Sequence, residues 1–383
     1  TLSKFKASVP VGSSAAEALM MDDVVFEIDN LALNNRSDLF SHQGFARECA
    51  ALGLATWKKR KKQKPVMLGK KSLPLKPEFE NTTLSRSYHS TVVEGLSAKE
   101  SPVWLKRRLE AVGIRSLNAI IDITNFVMMD SGQPTHAFDL RAVSGKEFIT
   151  RLSKEGEIIK TLDSVDRILP EGVIVVECGG RIIDLSGIMG GADSEIRSDT
   201  KSVYFHSSHY DAVTIRRSMQ KLAHRTEGGT IHEKNVELER SHVGFNRALE
   251  LFREIFPEAT FPCKAYSHQH GKSSGRKISF PFEQLRKHTG VAILPKAAKK
   301  ILEDLGFSVK SSKSSLEVQV PSFRDLTVTI PEDIFEEVIR IFGYSKVQSV
   351  PPTISIHPPS KNHALTLRRG VRNFFVSQGF QEE

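Results

Sequence analysis

Polar residues about one third of the way along the chain have the side-chain types of an ester-hydrolysing site. Asp122-Ile-Thr-Asn125 is followed by Gln133-Pro-Thr-His-Ala-Phe-Asp139, so that His136 comes eleven residues after Asn125. A neutral imidazole beside an amide can orient a hydroxyl group or a water molecule for attack on an ester. The same residues also suit a structural turn, in which His136 bonds to the backbone and Asn125 closes the turn. The spacing alone leaves both interpretations open.

A glycine-rich segment, Gly187-Ile-Met-Gly-Gly191, is the second candidate for a binding site. Glycines let backbone N–H groups approach a ligand closely, or let the chain turn with positive φ. The segment lacks the spacing of a dinucleotide-binding loop, and no lysine follows it as in a phosphate-binding loop. It is therefore interpreted either as the backbone wall of a pocket or as an ordinary turn.

Three carboxylates lie together on a helix near the end of the chain. Asp333, Glu336 and Glu337 are spaced i, i+3, i+4, and Asp325 lies upstream of them. Carboxylates on one helix face repel one another unless a cation neutralises them, and Mg²⁺ prefers oxygen ligands. Acidic residues in a first helical turn are also stabilised by the helix dipole without any metal. A magnesium site and a helix-dipole role both remain open.

Length, composition and charge limit the function classes. The chain has 383 residues, 39% of them hydrophobic, and its 54 Lys and Arg against 45 Asp and Glu give a formal net charge of +9. The composition excludes collagen-like and wholly disordered proteins. No run approaches the ~18 apolar residues of a membrane-spanning helix. The positive charge suits a polyanionic partner, nucleic acid above all, without requiring one.

The three cysteines are Cys49, Cys178 and Cys263, which lie far apart in the sequence. A disulfide framework normally has more cysteines, and a structural zinc site usually has a close pair. This pattern favours a reducing compartment, and a cytoplasmic location is expected.

Two basic features could contact RNA. The tract Lys58-Lys-Arg-Lys-Lys-Gln-Lys64 lies in a stretch without acidic residues from 58 to 77, and Arg217, Lys221 and His224 share one face of a predicted helix. Like charges of this kind form either solvated surface or contacts to a phosphate backbone.

The elements that must position these residues predict a multidomain α+β protein. Residues 1–77 form a small α/β unit with a basic linker, 78–275 a large α+β domain that ends at the flexible Gly271–Gly275, and 276–350 a small α/β domain with the acidic helix. Residues 351–383 form a linker and a further amphipathic helix. Helices are predicted after Ser41, between Ser101 and Gly113, and over Asp211–Ala223, Val236–Phe256, Pro295–Leu305 and Pro331–Phe342. Strands are predicted over Asp22–Ile28, Asn118–Ile123, Ile168–Glu177, Ser202–Phe205 and Leu316–Val320.

Taken together, the motifs resemble the β subunit of bacterial phenylalanyl-tRNA synthetase. They follow one another in order over nearly the whole chain: Asn35-Arg-Ser-Asp38, Gly44-Phe-Ala-Arg-Glu48, Ser101-Pro-Val-Trp-Leu105, Thr124-Asn-Phe-Val-Met-Met129, Gly132-Gln-Pro-Thr-His-Ala-Phe-Asp-Leu140, Gly187-Ile-Met-Gly-Gly191, Arg225-Thr-Glu227, Pro321-Ser-Phe-Arg324 and Asp333-Ile-Phe-Glu-Glu-Val-Ile-Arg-Ile-Phe-Gly-Tyr344. No single motif decides the assignment, but their order and spacing are hard to imitate.

The resemblance implies the central part of a β chain, without its amino-terminal oligonucleotide-binding-fold domain and most of its carboxy-terminal half. The family joins phenylalanine to tRNA(Phe) using ATP and Mg²⁺, as an α2β2 tetramer whose aminoacylation site belongs to the α subunit. Residues 78–275 would then be the domain that hydrolyses wrongly made Tyr-tRNA, and residues 363–383 the first helix of a catalytically silent synthetase-like domain.

Site residues follow from the resemblance by position. The editing pocket would include Thr124, Asn125, His136, Gly187, Gly190, Thr226 and Gly228. Asn125 and His136 would position the ester and water, and the glycine backbone would shape the pocket. His206 stands where the family usually has a Glu that recognises the tyrosine hydroxyl.

The metal pattern of the family is matched by Asp333, Glu336 and Glu337, which would form a structural Mg²⁺ site. Thr327 stands where the family's first Asp falls, and Asp325 would serve if the loop adjusts. One alternative function is a non-catalytic RNA-binding and assembly module that has lost editing. A free-standing metal-dependent hydrolase is a third, disfavoured because no general base or nucleophile lies near the acidic cluster.

Overall fold

The computed structural model describes residues 10, 12–18, 21–58, 63–271, 275–355, 357 and 360–383. The chain divides into two compact units, residues 1–344 and residues 345–383. Helices alternate with several separate sheets, which confirms the predicted multidomain α+β class. Most of the basic tract (59–62) and the middle of the glycine break (272–274) lie outside the described residues. The boundaries at 77 and 275 stay predictions.

The helices vary in length from a single turn to five turns. They are α1 Ala15–Ala18, α2 His42–Ala51, α3 Val103–Ala111, α4 Ala119–Ser131, α5 Leu140–Val143, α6 Ala212–Lys221, α7 Glu227–His232, α8 Leu238–Ile255, α9 Phe282–Thr289, α10 Pro295–Asp304, α11 Pro331–Phe342 and α12 His363–Ser377. The helices predicted after Ser41, over Asp211–Ala223 and Val236–Phe256, and in the last 90 residues are confirmed.

The strands form four sheets. They are β1 Pro77–Phe79, β2 Ser87–Glu94, β3 Thr135–Asp139, β4 Phe148–Leu152, β5 Glu157–Lys160, β6 Asp166–Leu169, β7 Ile174–Cys178, β8 Arg181–Leu185, β9 Met189–Gly190, β10 Ser202–His209, β11 Tyr266–Gln269, β12 Lys277–Pro281, β13 Ser308–Ser311 and β14 Ser315–Gln319. The sheet orders are β1-β4-β7-β8-β9, β11-β2-β10-β3, β12-β14-β13 and β5-β6. Apart from the parallel pair β1–β4, the paired strands are antiparallel.

The four-stranded sheet is the centre of the large domain, because it is covered on both faces. Alternate residues of a strand point to opposite faces. Ala137 and Phe205 therefore face a core formed with helices α3, α4 and α8. Phe138 and Tyr204 face the five-stranded sheet, where they pack with Phe148. The two sheets thus enclose a second core, and the candidate site lies on this side of the four-stranded sheet.

The predicted strand Asn118–Ile123 is wrong, since this segment begins helix α4. The Asn118 side chain caps the helix by accepting hydrogen bonds from the N–H groups of Ile120 and Ile121, both at 3.1 Å. Its apolar, β-branched residues imitate a buried strand, because the helix is buried around much of its circumference. Asp122 in the first turn accepts bonds from Ser101 and Ser116.

The predicted strand Asp22–Ile28 is also wrong, because the described residues there form neither a strand nor a helix. Val24 and Phe26 are 82% and 70% exposed. An alternating pattern becomes a strand only when a neighbouring strand accepts its backbone hydrogen bonds, and no described strand pairs with this segment.

Two predictions elsewhere need smaller corrections. The segment Ile168–Glu177 comprises parts of two strands, and helix α3 begins after Pro102 rather than after Ser101.

The second unit consists of helix α12 and the residues around it. The side chain of Asn362 caps this helix by accepting a hydrogen bond from the N–H of Leu365 at 3.1 Å. Leu367 and Phe374 are 69% and 61% exposed, so the apolar face predicted for this helix is present on the surface of the unit.

Candidate functional site

Antiparallel pairing of β3 with β10 brings two histidines of the predicted site together. His136 lies directly opposite His206, and their ring centres are 6.0 Å apart. The His206 ring is only 3% exposed and stacks on Phe138 at 5.4 Å and on Tyr88 at 5.2 Å. Neither nitrogen of His206 has a hydrogen-bond partner among the described residues. This imidazole is therefore a buried polar group held between apolar surfaces with two unused bonding positions.

The glycine segment approaches His136 so closely that a side chain would not fit. A Cβ atom at Gly190 would lie 2.9 Å from Cε1 of His136 and 3.2 Å from Nε2. Gly187 has φ +74°, and a Cβ atom there would lie 2.8 Å from the Tyr210 ring and 3.1 Å from His232. Glycine is required at both positions. We call residues 187–191 the glycine wall; that it lines a binding pocket stays a prediction.

The start of helix α7 is fixed against this wall. The Thr226 side chain accepts a hydrogen bond from the N–H of Gly229 and donates one to the carbonyl of Ile188 at 2.9 Å. A Cβ atom at Gly228 would lie 3.7 Å from the Gly187 carbonyl oxygen. The structure therefore brings together six of the predicted site residues: His136, Gly187, Gly190, His206, Thr226 and Gly228.

Thr124 and Asn125 lie farther from this group than the sequence suggested. Both are on helix α4, which packs against the face of β3 that carries Ala137 rather than the face that carries His136. The Thr124 hydroxyl donates to the carbonyl of Ile121 at 2.7 Å. No hydrogen bond of the described residues joins Asn125 to His136. Their part in the site stays a prediction, and they contact it through strand β3.

Burial keeps the imidazoles of the site neutral. It lowers the pKa of His136 from 6.5 to about 4, and it lowers the pKa of His206 well below 6.5, with further contributions from His136 and His232. Burial likewise lowers the pKa of His232 to about 3. Each ring then has one N–H donor and one acceptor nitrogen at neutral pH. Such groups can orient a polar ligand or a water molecule without introducing a charge.

Sequence reasoning missed several polar residues that surround the site. Asp184 is fully enclosed on β8, and burial raises the pKa of its carboxyl group to about 8, against the effect of a hydrogen bond to Ser186. Burial also raises the pKa of Tyr210 above its usual range. Gln133 was noted only as part of a motif, but its side chain is buried and donates to the carbonyl of Ser208 at 2.9 Å. Only the pairing of distant strands reveals these neighbours, because no local pattern marks them.

The predicted metal residues are used in a different way. The Asp333 carboxylate accepts hydrogen bonds from the N–H groups of Thr329 at 2.7 Å and Ile330 at 3.1 Å, which caps helix α11. Glu337 is 4% exposed, and its oxygens lie 2.7 Å from nitrogens of both Arg324 and Arg340. Glu336 is exposed and Asp325 is half-buried. In the part of the chain that the structure describes, no three His, Cys, Asp or Glu side chains are grouped to hold a metal ion.

Arginines supply the positive charge that a metal would otherwise supply at Glu337. Although burial opposes ionisation, Arg324, Arg340 and Arg36 lower the pKa of Glu337 to about 2. We call the wider group the arginine–carboxylate cluster; its members are Arg36, Asp38, Glu48, Arg324, Glu337 and Arg340. Since the carboxylates at 333 and 337 already have partners, these residues do not fit a magnesium ion in this arrangement. The magnesium site stays a prediction that these contacts disfavour.

The cluster also joins the amino-terminal part of the chain to the acidic helix. Arg36 bonds Asp38 at 2.8 Å and lies 3.3 Å from Glu48 on helix α2, while Arg340 on helix α11 forms an ion pair with the same Glu48. Sequence reasoning placed these residues in motifs but did not predict that they meet.

The basic face predicted on helix α6 is partly engaged by neighbouring strands and turns. Lys221 donates to the carbonyl of Glu171 at 2.7 Å, and the His224 ring lies 3.5 Å from the guanidinium of Arg167. Arg217 is exposed.

Among the described helices, none combines the length and the apolar character needed to cross a membrane.

Comparison with known proteins identifies two domain families in the chain. Residues 84–257 match the B3/4 domain, and residues 278–344 match the tRNA synthetase B5 domain. The first range contains the histidine and glycine site, and the second contains the acidic helix.

Curated relatives match almost the whole chain. A protein named phenylalanine–tRNA ligase beta subunit from Carboxydothermus hydrogenoformans is 33% identical over 376 residues, which are 97% of this chain and 46% of that protein. One of the same name from Clostridium acetobutylicum is 31% identical over 382 residues, 98% of this chain and 47% of that protein. The chain thus spans about half the length of these relatives.

A solved structure also matches. It is the crystal structure of an N-terminal fragment of the phenylalanyl-tRNA synthetase beta subunit from Pyrococcus horikoshii, which is 15% identical, with a TM-score of 0.42, and the match covers 84% of this chain and 90% of that chain.

Proposed function

Since the chain belongs to the family of phenylalanine–tRNA ligase β subunits, we propose that it acts within an enzyme that attaches phenylalanine to tRNA(Phe) using ATP. The α subunit carries the aminoacylation site in this proposal, and the partners form an α2β2 tetramer in the cytoplasm. The Mg²⁺ and ATP of the reaction belong to that α-subunit site. The present chain alone would not activate phenylalanine.

We further propose that the group around His136 and His206 hydrolyses Tyr-tRNA(Phe). The observation that supports this most directly is His206, a buried imidazole whose two nitrogens have no partner among the described residues. A buried polar atom left without a hydrogen bond costs about 1–3 kcal/mol, so the position favours a polar ligand. The adjacent glycine wall lies directly beside His136.

The chemistry of this proposal is the hydrolysis of an ester. The oxygen of a water molecule attacks the carbonyl carbon of the aminoacyl group, the bond from that carbon to the ribose oxygen breaks, and a proton passes to the ribose oxygen. The products are free tyrosine and intact tRNA. His136, which is neutral at pH 7, accepts a hydrogen bond from the water and thereby orients it; a pKa near 4 makes it a weak base, so orientation is its main contribution. Asn125 is proposed to hold the ester, as the resemblance implies.

Recognition of tyrosine over phenylalanine would depend on His206. A neutral imidazole can donate a hydrogen bond to a phenolic oxygen or accept one from its hydroxyl. Phenylalanine lacks this hydroxyl and would leave the His206 ring without a hydrogen bond. A site built to bond a hydroxyl group rejects a substrate that lacks it. His206 would therefore take the place of the glutamate that the family usually has there.

Deacylation of Tyr-tRNA(Phe) tests the proposal. We expect hydrolysis above the buffer rate, and we expect His136→Ala to reduce it by about 100-fold, since orientation of the attacking water would be lost. His288→Ala is the matched control, because His288 lies on the exposed side of helix α9 in the small domain. Equal rates for the two variants would contradict the role of His136.

The alternative function is an RNA-binding and assembly module without hydrolytic activity. His206 in place of a glutamate favours it, because the change alters the residue that would recognise the substrate. Binding of tRNA with steep salt dependence, together with no deacylation by a folded chain, would support this alternative.

A further inference from the structure

A large cleft lies beside the candidate site, where three distant parts of the chain meet. It has a volume of about 940 Å³. The end of helix α6 and the residues around helix α7 form most of its lining, residues 34–35 form another part, and residues 326–327 of the small domain form the rest. The cleft is distinct from the histidine pair. Its residues Asn35 and Arg225 belong to motifs noted in the sequence, but the sequence did not predict that they meet.

The cleft has an excess of positive charge. Arg216, Arg225 and Lys234 line it, and the one carboxylate in the lining is Glu233. Glu233 forms ion pairs with Arg225 and with Lys234, the latter at 3.8 Å. Arg216 is exposed and forms no ion pair with a described residue. Two positive charges therefore remain in excess, and one of them is an arginine that can turn toward a ligand.

Side-chain amides lie between these cations. Asn34, Asn35, Gln220 and Asn235 line the same cleft, and Met219 adds an apolar surface. Arginine and lysine bind phosphate groups, whereas amides offer donors and acceptors to bases and ribose hydroxyls. An acidic peptide would offer its carboxylates to the cations and only its backbone groups to the amides. The mixture thus suits a strand of RNA better than a carboxylate-rich peptide.

The backbone around the cleft is held in an uncommon conformation. Ala223 has φ +47° and Asn235 has φ +57°, and both line the cleft. Ser164 is the one other non-glycine residue with positive φ among those described. Left-handed φ is unfavourable for alanine, and such strained residues concentrate at binding sites.

The cleft adjoins the proposed hydrolytic site. Arg225 in the cleft directly precedes Thr226, whose hydroxyl is bonded to the glycine wall. We propose that this cleft binds the phosphate backbone of the single-stranded 3′ end of a tRNA whose aminoacylated terminus reaches the histidine pair. The proposal rests on the proposed function for its substrate, but RNA binding in the cleft can be measured without any hydrolysis.

Charge reversal at two exposed arginines tests the cleft. Arg216→Glu changes a lining residue, and Arg108→Glu is the matched control, because Arg108 is also exposed on a helix, α3, and does not line the cleft. The probes are tRNA(Phe) and a fluorescent oligoribonucleotide with the sequence of its 3′ end, and the measurement is Kd at several salt concentrations.

We expect Arg216→Glu to raise Kd for both probes by about tenfold and to reduce the salt dependence by about one phosphate contact. Arg108→Glu should change Kd by less than about twofold. Arg216→Ala should shift Kd in the same direction by a smaller factor. Thermal unfolding of each variant shows that it is folded, and the alanine variant serves if the glutamate variant is not.

The outcomes separate this inference from the proposed hydrolysis. Equal Kd values for the two reversed variants would overturn the cleft even in a chain that deacylates Tyr-tRNA. A difference between the two variants in a chain without deacylation would support the cleft and refute the hydrolytic function. Competition by a polyglutamate peptide as effective as that by RNA would overturn the inference in favour of an acidic protein ligand.

Discussion

Glu337→Gln removes one negative charge from the arginine–carboxylate cluster and keeps the size of the side chain. In the native chain the Glu337 oxygens lie 2.7 Å from Arg324 and Arg340, and 3.8 Å from Arg36. The side chain is almost fully buried, so the interactions are only weakly screened by water. The substitution leaves the neighbouring guanidinium groups without an adequate counter-charge in a buried position.

The pKa gives the size of the effect. The native state lowers the pKa of Glu337 from 4.5 to about 2, because the arginines outweigh the opposing effect of burial. A lowering of about 2.5 pKa units corresponds to about 3 kcal/mol of stability at pH 7. Breaking a buried ion pair from one side costs about 3–5 kcal/mol, which agrees with this value.

Urea unfolding at pH 7 measures the change. We expect Glu337→Gln to lower the free energy of unfolding by about 3 kcal/mol, whereas Glu336→Gln changes it by less than about 0.5 kcal/mol, because Glu336 is exposed. The stabilisation from a carboxylate with a lowered pKa is present above the unfolded-state pKa. The difference between wild type and Glu337→Gln should therefore shrink as the pH falls from 4.5 toward 2.

A chelator distinguishes arginines from a metal as the source of this stability. The unfolding midpoint of the wild type should be the same with and without EDTA, and added Mg²⁺ should not raise it. A midpoint that falls with EDTA and recovers with Mg²⁺, or a Glu337→Gln variant as stable as the wild type, would refute the reasoning.

Two further predictions concern the histidine site. Gly190→Ala places a Cβ atom 2.9 Å from His136 and should reduce deacylation of Tyr-tRNA strongly. Gly228→Ala places a Cβ atom no nearer than 3.7 Å to its neighbours and should retain most of the rate. Similar losses in both variants would contradict the close packing at Gly190. Burial lowers the pKa of His136 and His209 to about 4 and of His232 to about 3, so the unfolded chain takes up protons first as the pH falls below 6.5. Thermal unfolding midpoints should therefore decrease between pH 6.5 and pH 4 at constant ionic strength, and a flat profile there would show that these imidazoles are not buried in the neutral form.

Local signals predicted the elements that have clear ends. Helix α11 has the predicted bounds, because Pro331 suits its first turn and Gly343 follows its last residue. Asp211 caps helix α6 as predicted, with its carboxylate accepting from the N–H of Thr214 at 2.8 Å. Helix α4 was missed, because a buried helix lacks the polar face that distinguishes a helical pattern from a strand.

The site was only partly predictable, because its chemistry depends on pairing between distant strands. The sequence placed His136 in a motif, but its position opposite His206 depends on the register of β3 and β10. The glycine segment was a candidate from its own residues, whereas Thr226 was predicted only through the resemblance. The remaining properties of the site depend on burial. His206 is a buried imidazole without a hydrogen-bond partner among the described residues, and burial raises the pKa of the Asp184 carboxyl group. Neither property is visible in the local sequence.

The arginine–carboxylate cluster also has a consequence for the order in which the chain can mature during translation. Glu48 and its partner Arg340 are 292 residues apart. At roughly 5–20 residues per second, a ribosome needs about 15–60 s to synthesise the intervening chain. Throughout that interval Glu48 has Arg36 as a partner but lacks Arg340, so the cluster is incomplete. Helix α2 can therefore attach to helix α11 through this ion pair only after Arg340 has been synthesised, and nascent chains that end before Arg340 should expose helix α2 to proteases more than the chain that contains it.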